Sequence, residues 1–289
     1  MSDRLNPQWS MARSFLFVPG DRPERYAKAL ASGADAVIID LEDAVSLTAK
    51  DTARAALRDT LQTLSDAERA RVLVRINSQG TPWHEADLAL VAGLGQFGVA
   101  GVVVPKAESA ESVAYLASAC PGLGLLPLLE TAEGFHSIDA VASAPQVIRL
   151  GLGNIDLQAD LGMSCGIDEQ ELAPARWSIV LASRRAGLAP PVDGVTTSVS
   201  ELSLLKAAAQ RSRRFGFGAK LCIHPSQVAV VHTALAPTVA EIDWARRVLL
   251  AMEKVGGGVV SVDGKMVDSP VLSLAQQILV RGMMGAAKS

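Results

Sequence analysis

Eight short apolar runs recur along the chain, and a helix-like segment separates each run from the next. Runs that are apolar almost throughout are typical of parallel strands, because crossover helices bury both faces of such a sheet. Eight strand–helix units predict a (β/α)8 TIM barrel over residues 13–235, with a doubly wound open sheet as the alternative. The predicted strands are SFLFVP (14–19), AVIID (36–40), VLVRIN (72–77), GVVVPK (101–106), GLLPLLE (124–130), VIRLGLG (147–153), APPVDGV (189–195) and AKLCIH (219–224).

The composition excludes several classes of function. The formal net charge is −3, so there is no basic excess to neutralise nucleic-acid phosphates. No apolar stretch reaches the roughly 20 residues that span a bilayer, and the N-terminal residues lack the apolar region of a secretory signal. The loop after the first run, PGDR (19–22), lacks the glycine pattern of a dinucleotide site. We therefore expect a soluble cytoplasmic protein that binds neither nucleic acid nor membranes.

Residues 236–289 follow the eighth unit and form a predicted C-terminal extension. The pair Asp263-Gly264 favours the type I′ turn of a hairpin. The next segment, PVLSLAQQILVRGMM, has the pattern of an amphipathic helix. Because a barrel closes without this segment, the apolar face of the helix must pack against something else.

Polar and ionisable side chains follow nearly every predicted strand. The active sites of TIM barrels lie at the carboxyl ends of the strands, so these side chains are expected to share one pocket. Glu130 is the clearest case, because it ends the apolar run GLGLLPLL with no polar residue before it. The strand-end residues are Arg22, Asp40, Glu42, Asp43, Arg75, Asn77, Lys106, Glu130, Asp156, Asp193 and His224.

Glu130 and Asp156 would follow the adjacent fifth and sixth strands. Paired carboxylates either share a proton or hold a hard cation. The sequence has no histidine cluster that would favour zinc or iron, and oxygen ligands suit Mg²⁺ or Mn²⁺. The alternative is that the two acids form salt bridges with Arg75 or Arg149.

Six long motifs occur in order between about Arg13 and Ile278. They are RSFLFVPGDRPERYAKALASGADAVIIDLEDAV, VRIN, VVVPKAES, LLPLLETAEG, KLCIHPSQVAVV and GKMVDSP. Together these motifs resemble the HpcH/HpaI aldolase and citrate lyase β-subunit-like family. The resemblance implies a Mg²⁺-dependent barrel that cleaves or forms a carbon–carbon bond next to an acyl thioester. Family members include lyases for citryl, malyl and citramalyl thioesters.

The resemblance also implies roles for individual residues. Glu130 and Asp156 match the metal ligands, with Glu130 also beside the substrate, and Arg75 matches the arginine that grips the substrate. Asp268 matches an aspartate that reaches a neighbouring subunit's site as acid or base, which implies packing of the C-terminal extension on that subunit in a homotrimer or homohexamer. Phe17, Lys28, Ile223 and His224 match positions that contact coenzyme A. Arg22 is expected to bind the phosphates of coenzyme A because its side chain is basic.

Three neighbouring acids are expected to support this site. Asp40, Glu42 and Asp43 of the DLED segment would orient Arg75 and the waters of the metal. The alternative is a salt bridge within the loop. For Lys28 the alternative to a coenzyme A contact is a place on the solvated face of the first helix.

The chain departs from the family pattern at the sixth strand. Many members have Gly-x-Glu-Asp there, whereas Gly153-Asn154-Ile155-Asp156 places isoleucine before the metal aspartate. Asp160 lies one helical turn later and is expected to replace part of the missing carboxylate if a helix starts here.

The sequence leaves three functions open. The first is a Mg²⁺-dependent carbon–carbon lyase that converts a 3-hydroxyacyl-CoA thioester into an acyl-CoA and a 2-oxo acid. The second is an aldolase of free 2-oxo acids, which has no need of basic residues such as Arg22 and Lys28. The third is a subunit of a citrate-lyase-type complex that takes its acyl group from an acyl carrier protein.

Overall fold

The eight predicted strands close into a parallel barrel in the order β1 to β8, which confirms the TIM barrel and excludes the open sheet. The structure, a computed structural model, describes residues 7–255 and 258–286. The barrel closes through β8 and β1, where Cys222 lies opposite Leu16. The strands are β1 (Ser14–Pro19), β2 (Ala36–Asp40), β3 (Val72–Arg75), β4 (Gly101–Val104), β5 (Gly124–Leu129), β6 (Gly151–Leu152), β7 (Val192–Asp193) and β8 (Ala219–Cys222).

Helices connect the strands, and their apolar spacing explains their packing. In α2, Ala53, Leu57 and Leu61 recur every four residues and are buried. None of the helices in residues 7–255 and 258–286 combines the length and apolar character that a membrane span requires. The helices are α1 (Tyr26–Leu30), α2 (Lys50–Thr63), α3 (Asp66–Arg69), α4 (His84–Leu94), α5 (Ala110–Ala119), α6 (Ala132–His136), α7 (Ile138–Ser143), α8 (Asn154–Asp160), α9 (Ala173–Arg185), α10 (Leu202–Phe215), α11 (Ser226–Leu235), α12 (Val239–Val255) and α13 (Ser269–Ala286).

Strands β6 and β7 are shorter than predicted. In β7, Pro190 and Pro191 have no N–H to donate to a neighbouring strand, so pairing starts only at Val192. Before β6, Val147 forms only an isolated bridge with Leu125. The sixth and seventh units therefore keep their places in the barrel with two paired residues each.

The barrel interior is filled at its amino-terminal end. Trp9 is 1% exposed, and its ring lies edge-on to Phe15 with 6.1 Å between the ring centroids. A Cβ on Gly124 would lie 2.8 Å from the Trp9 ring, so glycine is required for this close approach. Because this end is packed, a ligand cavity is left at the carboxyl ends of the strands.

The described residues from Leu235 onward form a second compact unit. Its hairpin consists of β9 (Val260–Val262) and β10 (Lys265–Val267), which pair antiparallel. Asp263 and Gly264 both have positive φ, 53° and 72°, which is the predicted type I′ geometry. Apolar residues of α12, the hairpin and α13 form the core of this unit.

Candidate active site

A cavity of about 410 Å³ lies at the carboxyl ends of the barrel strands. Asp40 and Arg75 line it from the ends of β2 and β3, Glu130 from the end of β5, and Asp156 from the first turn of α8. The structure thus brings together the central strand-end residues that the sequence assigned to one pocket.

Glu130 is buried in this cavity, and only one of its two carboxylate oxygens has a hydrogen-bond partner. It is 2% exposed, and the Lys106 backbone N–H donates to Oε1 at 2.7 Å. Lys106 has φ 44°, a left-handed conformation that is uncommon for a lysine. Oε2 is buried and has no hydrogen-bond partner. Burial, together with the charges of Glu42 and Asp156, raises the pKa of Glu130 to about 8.

The surroundings of Glu130 fit a hard cation. A Cβ on Gly153 would lie 2.0 Å from Glu130 Oε2, so only glycine leaves room beside that oxygen. Asp156 is half-buried and lines the same cavity. Within the described residues no three His, Cys, Asp or Glu side chains form a metal-binding group. A cation here would take two carboxylates and complete its shell with water or substrate, as Mg²⁺ commonly does.

Arg75 lies among the three acids of the DLED segment. Its Nε and Nη2 donate to the two oxygens of Asp40 at 2.7 and 2.6 Å. Its Nη1 lies 3.2 Å from Glu42 and 3.3 Å from Asp43. Burial alone would lower the pKa of Arg75, but the adjacent carboxylates outweigh it and raise the pKa, so the guanidinium stays charged. The guanidinium carbon is 4.8 Å from the centroid of the Phe17 ring, within cation–π range.

The salt-bridge alternative for Glu130 and Asp156 is wrong. The ion pairs of Arg75 go to the DLED acids instead. Arg149 donates to the carbonyls of Ala12 at 2.7 Å and Pro190 at 2.6 Å, near the amino-terminal ends of β1 and β7. Burial lowers the pKa of Arg149 to about 9.

The sequence analysis did not identify two residues that hold the DLED loop in place. Lys50, at the start of α2, is buried and donates to the Leu41 and Glu42 carbonyls, both at 2.7 Å. The Ser78 hydroxyl donates to Glu42 Oε1 at 2.7 Å. Burial raises the pKa of Glu42 to about 7 despite the nearby Arg75. The signal for Ser78 was its place just after the VRIN motif.

The residues predicted to contact coenzyme A fall into two groups. Phe17 and Ile223 line the cavity. Arg22, Lys28 and His224 are exposed and do not line it. Nδ1 of His224 is hydrogen-bonded to the Ser226 hydroxyl at 2.8 Å. The coenzyme A role of all five residues stays a prediction.

Asp160 does not take the place of the carboxylate that many family members have at the position of Ile155. Its Oδ2 accepts a hydrogen bond from the Ala132 backbone N–H at 2.7 Å, at the start of α6, and it does not line the cavity. The expectation for Asp160 is therefore wrong, because the α6 N–H provides a nearer partner. Ile155 is 46% exposed and lines the cavity next to Asp156.

Asn154, which the sequence analysis did not single out, fixes the start of α8. Its amide donates to the Val195 carbonyl at 3.0 Å and accepts from the Val195 N–H at 2.8 Å. A Cβ on Gly194 would lie 2.1 Å from Asn154 Oδ1, so the loop after β7 needs glycine there. Asn154 precedes Asp156 by two residues and ties that turn to the barrel.

Asp193 does not belong to the cavity, although its position at the end of β7 suggested that it would. Its carboxylate is fully buried, 3.1 Å from Arg176 Nε and 3.7 Å from Lys220 Nζ. The Ser212 hydroxyl donates to it as well. Burial would raise the pKa of Asp193, but the two cations outweigh it and hold the pKa below its usual value. The signal that was missed is Lys220, a lysine inside an otherwise apolar strand.

Asp268 lies in the second unit, immediately before α13. Its carboxylate is half-buried and accepts a hydrogen bond from the Val271 N–H at 3.3 Å, which caps the helix. Its predicted action in a neighbouring subunit's site stays a prediction.

Comparison with known proteins agrees with this geometry. A family model described as HpcH/HpaI aldolase/citrate lyase matches residues 13–225. This chain belongs to that family. A (3S)-malyl-CoA thioesterase of Cereibacter sphaeroides is 34% identical over 278 residues, 95% of this chain and 96% of the relative. A citrate lyase subunit beta-like protein of Mycobacterium tuberculosis is 39% identical over 272 residues, 92% of this chain and 94% of the relative.

A solved family structure is also similar. The Mycobacterium tuberculosis protein CitE, in complex with magnesium, acetoacetate and coenzyme A, matches with a TM-score of 0.82 and 39% identity. The match covers 95% of this chain and 99% of that chain. That structure holds both magnesium and coenzyme A, the two groups that the sequence motifs predicted.

Proposed function

We propose that this protein is a Mg²⁺-dependent carbon–carbon lyase that converts a 3-hydroxyacyl-CoA thioester into an acyl-CoA and a 2-oxo acid. The observation that carries the proposal is the buried, unpartnered Oε2 of Glu130, which lies in the same cavity as Asp156 and Arg75. The magnesium, acetoacetate and coenzyme A in the similar CitE structure support this assignment.

The reaction is a retro-aldol cleavage whose atoms balance without an oxidant. The C2–C3 bond breaks, and its electron pair moves to C2 as the enolate of the shorter thioester. The C3 hydroxyl loses its proton and becomes the carbonyl of the oxo acid, and C2 then takes up a proton. Mg²⁺ bound by Glu130 and Asp156 would supply a Lewis acid and a template for the oxo acid.

The protein's own residues contribute orientation and charge. The bidentate contact with Asp40 fixes the plane of the Arg75 guanidinium. A guanidinium has five N–H groups, and the protein's own acids do not use all five of those on Arg75. Arg75 can therefore still donate to a carboxylate or enolate oxygen of the substrate. In this proposal Arg75 binds the substrate and stabilises the charge that develops on cleavage.

We propose further that Asp268 of a neighbouring subunit gives the proton to C2, within a homotrimer or homohexamer. Asp268→Asn and Glu130→Gln are each expected to be inactive, because one lacks the proton donor and the other the metal ligand. Refolding the two variants together would form mixed oligomers in which some sites contain intact Glu130 and intact Asp268. Partial return of activity supports the proposal. Mixed oligomers that are seen by mass spectrometry and stay inactive contradict it.

The names of the relatives make hydrolysis a second candidate, since one of them is called a malyl-CoA thioesterase. The deciding experiment incubates the protein and Mg²⁺ separately with citramalyl-, malyl- and citryl-CoA, with the same acyl groups on an acyl carrier protein, and with the free hydroxy acids. The products are identified by mass spectrometry. Acetyl-CoA with a 2-oxo acid supports the lyase, whereas free coenzyme A with an intact hydroxy acid indicates hydrolysis. Cleavage only of a carrier-protein thioester indicates a complex subunit, and cleavage only of a free hydroxy acid indicates an aldolase.

A further inference from the structure

The chain segment after β4 (residues 105–107) turns two successive backbone N–H groups towards β5. The Lys106 N–H donates to Glu130 Oε1 at 2.7 Å, and the Ala107 N–H donates to the Leu128 carbonyl at 3.2 Å. In an extended strand neighbouring N–H groups point to opposite sides, so Lys106 must leave that conformation for both to reach β5. Lys106 does so with φ 44°, a left-handed conformation that lets successive N–H groups converge. This conformation therefore makes the hydrogen bond to Glu130 possible.

A left-handed conformation is unfavourable for lysine, and the surrounding structure holds it in place. The cause of the strain is the Cβ atom, which comes close to the following carbonyl oxygen. The Ala107 N–H is fixed by β5, and a Cβ on Gly134 of α6 would lie only 3.0 Å from the Ala107 carbonyl oxygen. Strained residues persist where their surroundings fix them, and they cluster at functional sites. The strain at Lys106 thus indicates a function for its backbone.

The side chain of Lys106 does not explain this conformation. It is exposed and does not line the active-site cavity. Within residues 7–255 and 258–286 its amine has no hydrogen bond or ion pair. The backbone N–H, in contrast, occupies Oε1 of Glu130, which leaves Oε2 beside Gly153 as the oxygen without a partner. Lys106 therefore contacts the site through its backbone.

We infer that Lys106 is a positioning residue for Glu130: its left-handed backbone holds the N–H against Oε1 and thereby presents Oε2 to the metal. The inference rests on the proposed function, because it takes Glu130 as a Mg²⁺ ligand. A hydrogen bond to a metal ligand fixes the orientation of that ligand, and its loss commonly weakens metal binding about 10-fold to 100-fold. The amine of Lys106 is not needed for this role.

The test is calorimetric Mg²⁺ titration of the full chain without substrate, on Lys106→Asn, Lys106→Gly and Lys106→Val. All three variants lack the amine, so they differ in the backbone conformation that they favour. Glycine and asparagine adopt left-handed conformations readily, whereas a β-branched residue such as valine does not. We expect Lys106→Asn and Lys106→Gly to bind Mg²⁺ within about twofold of the unmodified protein, because both keep the N–H in place. Lys106→Val should bind about 10-fold to 100-fold more weakly.

Gln146→Val is the control for backbone strain as such. Gln146 also has a positive φ, 60°, and its carbonyl accepts from the Leu125 N–H, at the opposite end of β5 from Glu130. The substitution also removes the hydrogen bonds of the glutamine amide. It should therefore lower the free energy of unfolding, measured with denaturant, and still bind Mg²⁺ normally.

The outcomes separate the inference from the proposed function. Weak Mg²⁺ binding by Lys106→Val alone supports the inference. Normal binding by Lys106→Val, equal weakening in Lys106→Asn and Lys106→Gly, or weak binding by Gln146→Val overturns it and leaves the metal site intact. If Lys106→Val does not fold, Lys106→Ala decides: weaker binding than Lys106→Gly supports the inference, and equal binding overturns it. Absence of Mg²⁺ binding by the unmodified protein overturns both.

Discussion

Two carboxylates at the same end of the barrel have opposite surroundings. Glu130, after β5, keeps a buried oxygen without a partner, and burial raises its pKa to about 8. Asp193, at the end of β7, is surrounded by Arg176, Lys220 and Ser212, and its pKa is lowered. Both are strand-end acids in the sequence. A strand-end acid therefore indicates a ligand site when its side chain lacks partners, and a structural role when cations and hydroxyls surround it.

Removing the charge of Asp193 is expected to have the largest effect on stability. Asp193→Asn removes the ion-pair carboxylate of buried Lys220 and one of the two carboxylates that contact buried Arg176, which costs about 3–5 kcal/mol of unfolding free energy. Denaturant unfolding measures this loss, with Asp59→Asn as the control because Asp59 is exposed. The control should change by less than about 0.5 kcal/mol. A loss as small for Asp193→Asn would show that its network is not structural.

Arg75→Lys is expected to have the next largest effect, and it changes the active-site cavity instead of the Asp193 network. Lysine keeps the charge but cannot donate to both oxygens of Asp40, so the cation loses its fixed orientation. We expect kcat/KM to fall at least about a hundredfold, or about 2.7 kcal/mol of transition-state stabilisation. Steady-state kinetics and unfolding are measured on the same preparation. Unchanged kinetics would make Arg75 a purely structural partner of the DLED acids.

The pH dependence of stability should also separate the two acids. In the folded protein Glu130 keeps its proton up to about pH 8, whereas in the unfolded chain it loses the proton near pH 4.5. The metal-free protein is therefore expected to lose about 1 kcal/mol of stability between pH 7 and pH 8 from this group. Asp193 contributes in the opposite sense, because its stabilisation is lost only in acid, as the pH falls through its lowered pKa. Thermal unfolding of Glu130→Gln should lack the Glu130 part of the slope, and an unchanged slope would assign it to another group.

The sequence predicts the barrel well, because apolar runs and strand-end acids report directly on burial and position. Glu130, Asp156 and Arg75 reach one cavity as expected. Strand β7 is shorter than predicted, since apolar character alone ignores the missing N–H groups of Pro190 and Pro191. Strand β6 is also shorter, because Val147 forms only an isolated bridge with Leu125.

The partners of the acids could not be predicted from the sequence. Arg176 lies on α9 and Lys220 on β8, so only the fold brings both to Asp193. The same limit applies to Asp160, whose partner is a backbone N–H of α6. The spacing of residues predicts the strand or helix that carries a side chain, but only the tertiary structure determines which groups that side chain contacts.

We propose that Glu130 Oε2 has no hydrogen-bond partner because it binds a metal. The most direct test is Mg²⁺ titration by calorimetry at pH 8, without substrate, on the unmodified protein and Glu130→Gln. Glu133→Gln is the matched control, because Glu133 is an exposed glutamate three residues later. We expect Glu130→Gln to bind Mg²⁺ at least about a hundredfold more weakly than the unmodified protein, while the control binds normally. Equal Mg²⁺ affinity in Glu130→Gln and the unmodified protein would contradict it.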